Sequence, residues 1–486
     1  MNESIPAITV LIEEAAIREL QELMASGKLA SRDLVKAYIN RIALYDGGGP
    51  ALNSVLELNP DALFIAEALD LERRRKGPRG PLHGIPILVK DNIDTGDMMH
   101  TSAGSLALAN SYASEDSFVV KKLREAGAII LGKANMTEWA NFMTDNMPNG
   151  YSSRGGQVRN PYGPGVHDVG GSSSGSGAAV AANLVSAAIG TETSGSILNP
   201  ACNNSVVGIK PTVGLVSRTG VIPISHVQDT PGPLTRTVED AAIVLGVIAG
   251  IDDQDIATYS SDGRAFGDYT QFLDKDGLKG ARIGIARSFV ERLGDEHRSI
   301  FATAEQALRD AGAYVADVDM TPPQSWQSRS LIYEFKPAIN KYLSRLSSQV
   351  PVHSLKELTE FNESDPDRML KYGQTVLIQS EQTSGTLTEP EYILGRAREE
   401  EECREKGIDR ALKQNNVEAL LFPNLMNAGI SARAGYPSVS LPAGYTEAGR
   451  PVGVTFAGGA YSEPVLIRFA YAFEQATKAR RAPKLI

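Results

Sequence analysis

An apolar stripe at helical spacing marks the N-terminal part of the chain. Hydrophobic side chains recur three and four positions apart through residues 17–24, and Gly27 is suited to end the helix that they indicate. Ser31 follows as a suitable N-cap for a second helix. The pattern therefore predicts two helices within residues 12–45.

Continuous apolar runs flank a helical pattern in the next part of the chain. A short run within residues 81–90 ends on Lys90. Residues 116–127 have the spacing of a helix closed by glycine, and a second apolar run follows at once at residues 128–131. Apolar runs on either side of a helix are typical of the buried parallel strands of an α/β sheet. The predicted fold class is therefore α/β.

The C-terminal half contains further strands and helices. Its predicted elements are a capped helix from Thr237, a strand at 281–287 with a helix after it through Ala311, mostly helical residues at 320–410, a strand at 417–422, a hairpin of 438–445 with 451–456, and a helix at about 463–479. Neither a repeat nor a disordered linker interrupts them. The sequence therefore predicts a single large domain over residues 1–486.

Composition and charge narrow the classes of partner. The 486 residues include 48 basic and 58 acidic residues, an excess of negative charge that disfavours nucleic acid and anionic membranes as partners. The acidic run at residues 399–402 is predicted to be a solvated helix face. No apolar stretch is long enough to span a membrane. Cys202 and Cys403 suit neither a disulfide framework nor a zinc site, so we expect a cytoplasmic protein.

Two loops rich in serine and glycine lie close together in the middle of the chain. They occupy residues 170–177 and 190–196, and the small residues between them predict one short alanine-rich helix. Such composition alone is equally typical of a flexible linker. A helix with so little side-chain volume must pack closely on its neighbours, however. Its N-terminus in a glycine loop would offer backbone N–H groups to an anion or an oxyanion.

Three kinds of chemistry fit these loops. Gly175 and Gly177 give part of a dinucleotide-binding fingerprint, although Val180 stands where its third glycine would be. Residues 171–175 fit the Gly-x-Ser-x-Gly nucleophile elbow, but a poor strand precedes them and no histidine occurs in the last quarter of the chain. The third chemistry is a serine nucleophile with a lysine base, for which Lys90 is available.

Several groups compete as the base. From residue type alone, a lysine at the end of a strand is usually a solvated surface group. Lys133 also ends a strand, and Lys210 precedes a proline that favours an extended backbone, so both are interpreted as structural. His83, near the Lys90 strand, is predicted to make a structural hydrogen bond.

The order and spacing of these motifs resemble the amidase signature family. Ser172 and Ser173 follow two glycines, and Ser196 lies 24 residues beyond Ser172 within Ser-Gly-Ser-Ile. The other segments that resemble the family are residues 82–91, 132–139, 207–218, 229–233 and 437–444. The resemblance extends from about residue 12 to about residue 480. The segments that look most like the bacterial peptide amidases are residues 138–142, 153–157 and 189–193.

The resemblance implies an architecture for the whole chain. It implies a mixed, twisted central β-sheet covered by helices on both faces, within one large domain. The implied parts are N-terminal helices at about 12–45, a catalytic core at about 65–250, a helical substrate-entrance region at about 320–400, and a C-terminal sheet and helix at 417–480.

The resemblance also implies a role for each residue of the site. Ser196 is expected to attack the carbonyl carbon, Ser172, in a cis peptide, to pass on the proton, and Lys90 to accept it. The backbone N–H groups expected to form the oxyanion hole belong to Thr193, Ser194, Gly195 and Ser196. Ser173 is expected to help hold Lys90 in place. Neither an organic cofactor nor a metal ion is needed.

The implied reaction is hydrolysis of a carboxamide with release of ammonia. The expected substrate is a C-terminal peptide amide or a similar acyl or aryl amide, and the expected state is a monomer or a homodimer. One alternative is the glutamine-hydrolysing subunit of a tRNA-dependent amidotransferase, against which Leu198 argues because many members of the family have arginine there. A second alternative is a nucleotide-binding oxidoreductase. Ser174 stands where a glycine is common, which should not block the chemistry.

Overall fold

A large β-sheet runs through the protein, of which the computed structural model describes residues 5–320 and 329–485. In these residues eleven strands form one sheet and two form a small hairpin. The strands are β1 (Val55–Leu58), β2 (Pro86–Lys90), β3 (Ile129–Ala134), β4 (Tyr151–Ser152), β5 (Gly156–Gln157), β6 (Ala187–Glu192), β7 (Val207–Lys210), β8 (Thr230–Thr235), β9 (Arg282–Ala286), β10 (Tyr314–Val318), β11 (Ala419–Pro423), β12 (Ser438–Tyr445) and β13 (Pro451–Ala457).

Helices account for most of the remaining regular structure. The α-helices of the described residues are α1 (Ile5–Ile12), α2 (Ile17–Ala25), α3 (Ser31–Arg41), α4 (Ala62–Lys76), α5 (Phe118–Glu125), α6 (Ser174–Ala181), α7 (Leu198–Asn203), α8 (Val238–Ile248), α9 (Arg287–Val290), α10 (Asp295–Asp310), α11 (Ser330–Leu343), α12 (Leu355–Ser364), α13 (Pro366–Met369), α14 (Thr375–Glu381), α15 (Pro390–Glu400), α16 (Asp409–Gln414), α17 (Ala428–Ala434) and α18 (Glu463–Thr477). Within these two ranges, none of the helices combines the length and the apolarity that crossing a bilayer requires.

The large sheet contains both parallel and antiparallel pairs. Its strand order is β1-β3-β2-β6-β8-β7-β12-β13-β11-β9-β10. Strand β2 is parallel to β3 and β6, and β9 is parallel to β10 and β11, whereas the other neighbours are antiparallel. Helices such as α6, α8 and α18 pack against its strands. The predicted α/β fold with a mixed sheet covered by helices is confirmed.

Strands β2 and β6 bring two parts of the predicted site to one edge of the sheet. Lys90 is the last residue of β2, and β6 ends at Glu192, shortly before Ser196. The two strands are parallel and adjacent, with Val89 opposite Ile189. Because the carboxyl ends of parallel neighbours open at the same edge, where α/β sheets bind ligands, the fold places Lys90 beside the loop that carries Ser196.

Helix α6 packs closely against this part of the sheet. All eight of its residues are buried. A Cβ atom added at Gly175 would lie 2.2 Å from the carbonyl oxygen of Ser54 and 2.4 Å from that of Asn135. The small residues of α6 are therefore required by close packing, and the segment is not a flexible linker.

The prediction of a single helix between the two serine-glycine loops is wrong. Helix α6 ends at Ala181, and residues 187–192 form strand β6 in the middle of the sheet. Asn183 has a positive φ of 55°, a conformation common just after a helix end. A run of small, fully buried residues has no hydrophobic period, so the pattern could not separate the helix from the strand.

Other predicted elements have mixed outcomes. Helices α2 and α3 and the antiparallel hairpin of β12 with β13 are observed. The acidic run at 399–402 is not solvated throughout, because Glu399 is 2% exposed and contacts Arg396 and Arg433. Residues 321–328 of the predicted entrance region lie outside the described residues. The division of the domain into functional parts stays a prediction.

Candidate active site

Lys90 is buried and hydrogen bonded at the end of β2. Its side chain is fully shielded from solvent, contrary to the usual state of a strand-end lysine. The Nζ atom lies 2.7 Å from Ser172 Oγ, 2.9 Å from Thr191 Oγ1 and 3.2 Å from the carbonyl oxygen of Thr191. The structure thus brings together two residues that are 82 positions apart in the chain.

The surroundings of Lys90 favour the uncharged amine. Burial lowers the pKa of Lys90 to about 7, and the nearby carboxylates of Asp229 and Glu192 oppose part of this shift. Near pH 7, about half of the Lys90 amines are therefore neutral. A neutral amine has a lone pair that can accept a proton.

Ser172 and Ser173 form the turn that leads into α6. The peptide bond between Gly171 and Ser172 is cis, and both serines are fully buried. The Ser173 N–H group donates to the carbonyl oxygen of Ser196 at 3.2 Å, which joins the two serine-glycine loops. Ser173 Oγ donates to the Thr191 carbonyl oxygen at 3.1 Å and accepts from the Thr191 N–H group at 3.2 Å. Ser173 therefore contacts the residue that binds Lys90.

The loop between β6 and α7 is fixed at both ends by carboxylates. Thr193 Oγ1 donates to Asp229 Oδ1 at 2.6 Å. Glu192 Oε2 accepts hydrogen bonds from the N–H groups of Ile197 and Leu198 at 2.7 and 3.0 Å. The loop is thereby held across Ser196, which is 7% exposed.

Four successive N–H groups in this loop have no protein acceptor. They belong to Thr193, Ser194, Gly195 and Ser196, and none donates to another group within residues 5–320 and 329–485. Gly195 has a positive φ of 84°, which a glycine adopts without strain. Unpaired backbone donors beside a serine are the arrangement that a developing oxyanion requires.

Comparison with known proteins identifies the family. The model of the amidase family matches residues 33–432. The chain belongs to the amidase family. A probable amidase from Arabidopsis thaliana is 42% identical over 98% of this chain and 93% of its own length. The family and its peptide amidase neighbours show that this amidase is an amide-hydrolysing enzyme.

Solved structures share the whole fold of this amidase. The native peptide amidase from Stenotrophomonas maltophilia is 46% identical, with a TM-score of 0.92 over 97% of this chain and 99% of that one. An amidase family protein from Bacillus anthracis is 41% identical, with a TM-score of 0.95 over 99% and 94% of the two chains. A glutamyl-tRNA(Gln) amidotransferase chain from Halorhodospira halophila matches only 64% of this amidase, at 38% identity.

The rival bases of the amidase are held in other networks. Lys133 Nζ donates to the Thr101 hydroxyl at 3.0 Å and to the Ile93 carbonyl oxygen. Lys210 Nζ donates to the Pro211 carbonyl oxygen at 2.9 Å. The structure therefore joins Lys90, rather than either rival, to the serine turn.

One further candidate, His83, precedes the end of β2 that is opposite Lys90. The buried His83 ring forms a hydrogen bond of 2.9 Å with the Leu69 carbonyl oxygen, as expected of a structural histidine. Among the described residues, no group of three or more His, Cys, Asp or Glu side chains could hold a metal ion.

Two residues of the amidase site had no predicted role. Thr191 holds Lys90 through its hydroxyl and its carbonyl oxygen, and Asp229 holds Thr193. No local signal marked Thr191, because it lies on β6, a strand that the sequence did not predict. A signal for Asp229 was its place in the segment 229–233 that resembles the family.

Proposed function

We propose that this amidase hydrolyses the C-terminal amide of a peptide, or a similar carboxamide, through an acyl-enzyme on Ser196. The observation that carries the proposal is the contact between the buried Lys90 amine and the Ser172 hydroxyl at 2.7 Å. The similarity to the Stenotrophomonas peptide amidase supports the substrate class. The peptide amidase PAM, which is 46% identical to this chain, also has a solved structure in complex with the competitive inhibitor chymostatin.

The contacts of Lys90 leave its lone pair for Ser172. A neutral amine has two N–H groups, and the two acceptors on Thr191 can take both of them. The lone pair then faces the Ser172 hydroxyl, which becomes the donor in the 2.7 Å contact. Ser172 can therefore give its proton to Lys90 while it takes one from the nucleophile.

Acylation begins with attack of Ser196 Oγ on the amide carbon. A C–O bond forms, the Ser196 proton moves to Ser172, and the Ser172 proton moves to Lys90. The negative charge on the substrate oxygen is stabilised by the unpaired N–H groups of residues 193–196. Each such donor is worth about 3–4 kcal/mol of barrier in comparable sites.

Release of ammonia reverses the proton path. The C–N bond breaks as Ser172 gives a proton to the leaving nitrogen and regains one from Lys90. Water then attacks the acyl-enzyme, with its proton taken by the same pair, and the C–O bond to Ser196 breaks. The products are a carboxylic acid and ammonia, and both catalytic serines regain their protons.

Ammonia release from a small set of amides tests the proposed function. The purified chain would be given a peptide with a C-terminal amide, the same peptide as a free acid, an aryl amide and glutamine. We expect the peptide amide to release ammonia fastest and the free acid to release none, since it lacks the scissile carboxamide. Turnover of glutamine alone, or of none of these carboxamides, would contradict the proposal.

Hydrolysis is expected to slow as the pH falls below about 7. Lys90 must be uncharged to accept a proton, and its pKa of about 7 makes the protonated form dominant in more acidic solution. We therefore expect kcat/KM for the peptide amide to rise about tenfold per pH unit on the acid side and to level off above about pH 7. A profile whose acid limb lies near pH 4 would instead assign the proton transfer to a carboxylate.

We also propose that the enzyme acts in the cytoplasm. Cys202 and Cys403 are both free and buried, which suits a reducing compartment. Fractionation of the source cells that places the enzyme outside the cytoplasm would contradict this part of the proposal.

A further inference from the structure

A buried carboxylate on α11 is bound by two hydroxyl groups from distant parts of the chain. Glu334 is 1% exposed. The Ser225 hydroxyl donates to Glu334 Oε2, and the Tyr392 hydroxyl donates to Glu334 Oε1 at 3.1 Å. The Arg396 guanidinium lies 3.6 Å from the same Oε1 atom. Burying a carboxylate costs free energy unless such partners compensate, so these three contacts stabilise Glu334 in its buried position.

Ser225 also forms hydrogen bonds within a tight turn. Its Oγ atom accepts hydrogen bonds from the N–H groups of Val227 and Gln228, both at 3.1 Å. Asp229 Oδ2 accepts from the N–H groups of Ile224 and Ser225, both at 2.8 Å. The Ser225 hydroxyl and the Asp229 carboxylate thus hold residues 224–229 in one conformation together.

The end of this turn holds Thr193, the first residue of the proposed oxyanion hole. Asp229 Oδ1 accepts from the Thr193 hydroxyl at 2.6 Å, and Gln228 Nε2 donates to the Thr193 carbonyl oxygen at 3.1 Å. A continuous set of hydrogen bonds therefore leads from Glu334 through Ser225 and Asp229 to Thr193.

A cavity lies along this path. It has a volume of about 650 Å³, and its lining includes Ser225, Asp229 and Glu334 together with Arg218 and Tyr342. The hydrogen-bonded path therefore borders open space between α11 and the turn. Without the bond to Glu334, the turn could shift into that space.

We propose that Glu334 is a positioning residue for the oxyanion hole, acting through Ser225 and Asp229 on Thr193. The inference rests on the proposed function, because it assumes that the N–H groups of residues 193–196 bind the oxyanion. A displaced donor loses stabilisation of the transition state and leaves ground-state binding unchanged. Loss of Glu334 should therefore lower kcat and leave KM nearly unchanged.

The test compares Glu334→Gln with Tyr392→Phe in the full-length enzyme. Glutamine keeps the volume but replaces one acceptor oxygen by a donor, so the bond to Ser225 is weakened. We expect kcat to fall about tenfold with KM within about twofold, a smaller loss than deletion of an oxyanion donor causes. Tyr392→Phe removes the other hydroxyl bond of the same carboxylate, leaves Ser225 bound, and should keep the kcat of the wild type.

A double-mutant cycle shows whether the effect passes through Ser225. Ser225→Ala should lower kcat at least as much as Glu334→Gln, because it also removes the acceptor of the Val227 and Gln228 N–H groups. The double variant should be no worse than Ser225→Ala within about twofold. If Glu334→Gln does not fold, the kcat of Ser225→Ala tests the inference instead. An unchanged kcat in the folded single variants, multiplied effects in the double variant, or an equal loss in Tyr392→Phe would overturn the inference.

The two proposals fail in different ways. A wild-type enzyme that releases ammonia from none of the carboxamides defeats the proposed function and this inference with it. An active wild type whose Glu334→Gln variant keeps its kcat defeats the inference alone.

Discussion

Replacing Ser196 with alanine is expected to abolish amide hydrolysis by this protein. The variant has no Oγ atom to form the acyl bond, and loss of the nucleophile in comparable serine hydrolases costs about 10⁴-fold or more in kcat. The substitution removes one oxygen from a residue that is 7% exposed, so the fold should persist. The measurement is ammonia release together with labelling by a fluorophosphonate reagent, which should modify the wild type and leave Ser196→Ala unmodified.

A serine far from the site provides the control for that experiment. Ser299 is exposed on α10, and Ser299→Ala should be labelled and should turn over like the wild type. Labelling of Ser196→Ala at full stoichiometry would falsify the assignment of the nucleophile.

Replacing Lys90 with methionine is expected to lower kcat by about 10²–10⁴-fold. This is the usual range for a general base, and methionine fills most of the volume of the lysine stem without a group that accepts protons. The pH dependence of the residual activity should lose its acid limb near pH 7, because that limb belongs to Lys90. The measurement is kcat against pH, with thermal unfolding to show that the variant is folded.

Lys210 offers a matched control for Lys90→Met. It is also fully buried, burial lowers its pKa to about 8, and it ends a strand of the same sheet, but its Nζ atom binds the Pro211 carbonyl oxygen. A folded Lys210→Met variant should keep most of the turnover. Near wild-type turnover in a folded Lys90→Met variant would require another base.

The sequence predicted six strands of the large sheet, but not β1, β6, β7, β8 or β10. Runs such as residues 128–131 are apolar and bounded by helical patterns, so their burial as strands follows from simple rules. Residues 178–192 were harder, because alanine and glycine carry no period from which a helix that ends at Ala181 can be told from the strand that follows.

Residue type alone did not identify the base, because most lysines at strand ends are solvated. Lys90 was selected over Lys133 and Lys210 by the resemblance of its segment to the family. Its burial and its contact with Ser172 depend on the register of β2 beside β6, which no local pattern shows.

Contacts between distant segments could not be predicted from a single sequence. Glu334 meets Ser225 across 109 positions and Tyr392 across 58, and nothing in the local pattern near any of the three distinguishes it from a surface residue. The prediction that the acidic run at 399–402 is solvated was wrong for the same reason. Glu399 is covered by other parts of the fold, which the run itself does not reveal.

The close packing of α6 restricts which substitutions could give this enzyme selectivity for other amides. A methyl group at Gly175 would already collide with two backbone oxygens, so variants enlarged along α6 should be lost to misfolding before their selectivity could be assayed. Helices α11 to α15 include many exposed and half-buried side chains. Randomised libraries for new acyl groups would therefore retain more folded members if their diversity were confined to those outer helices.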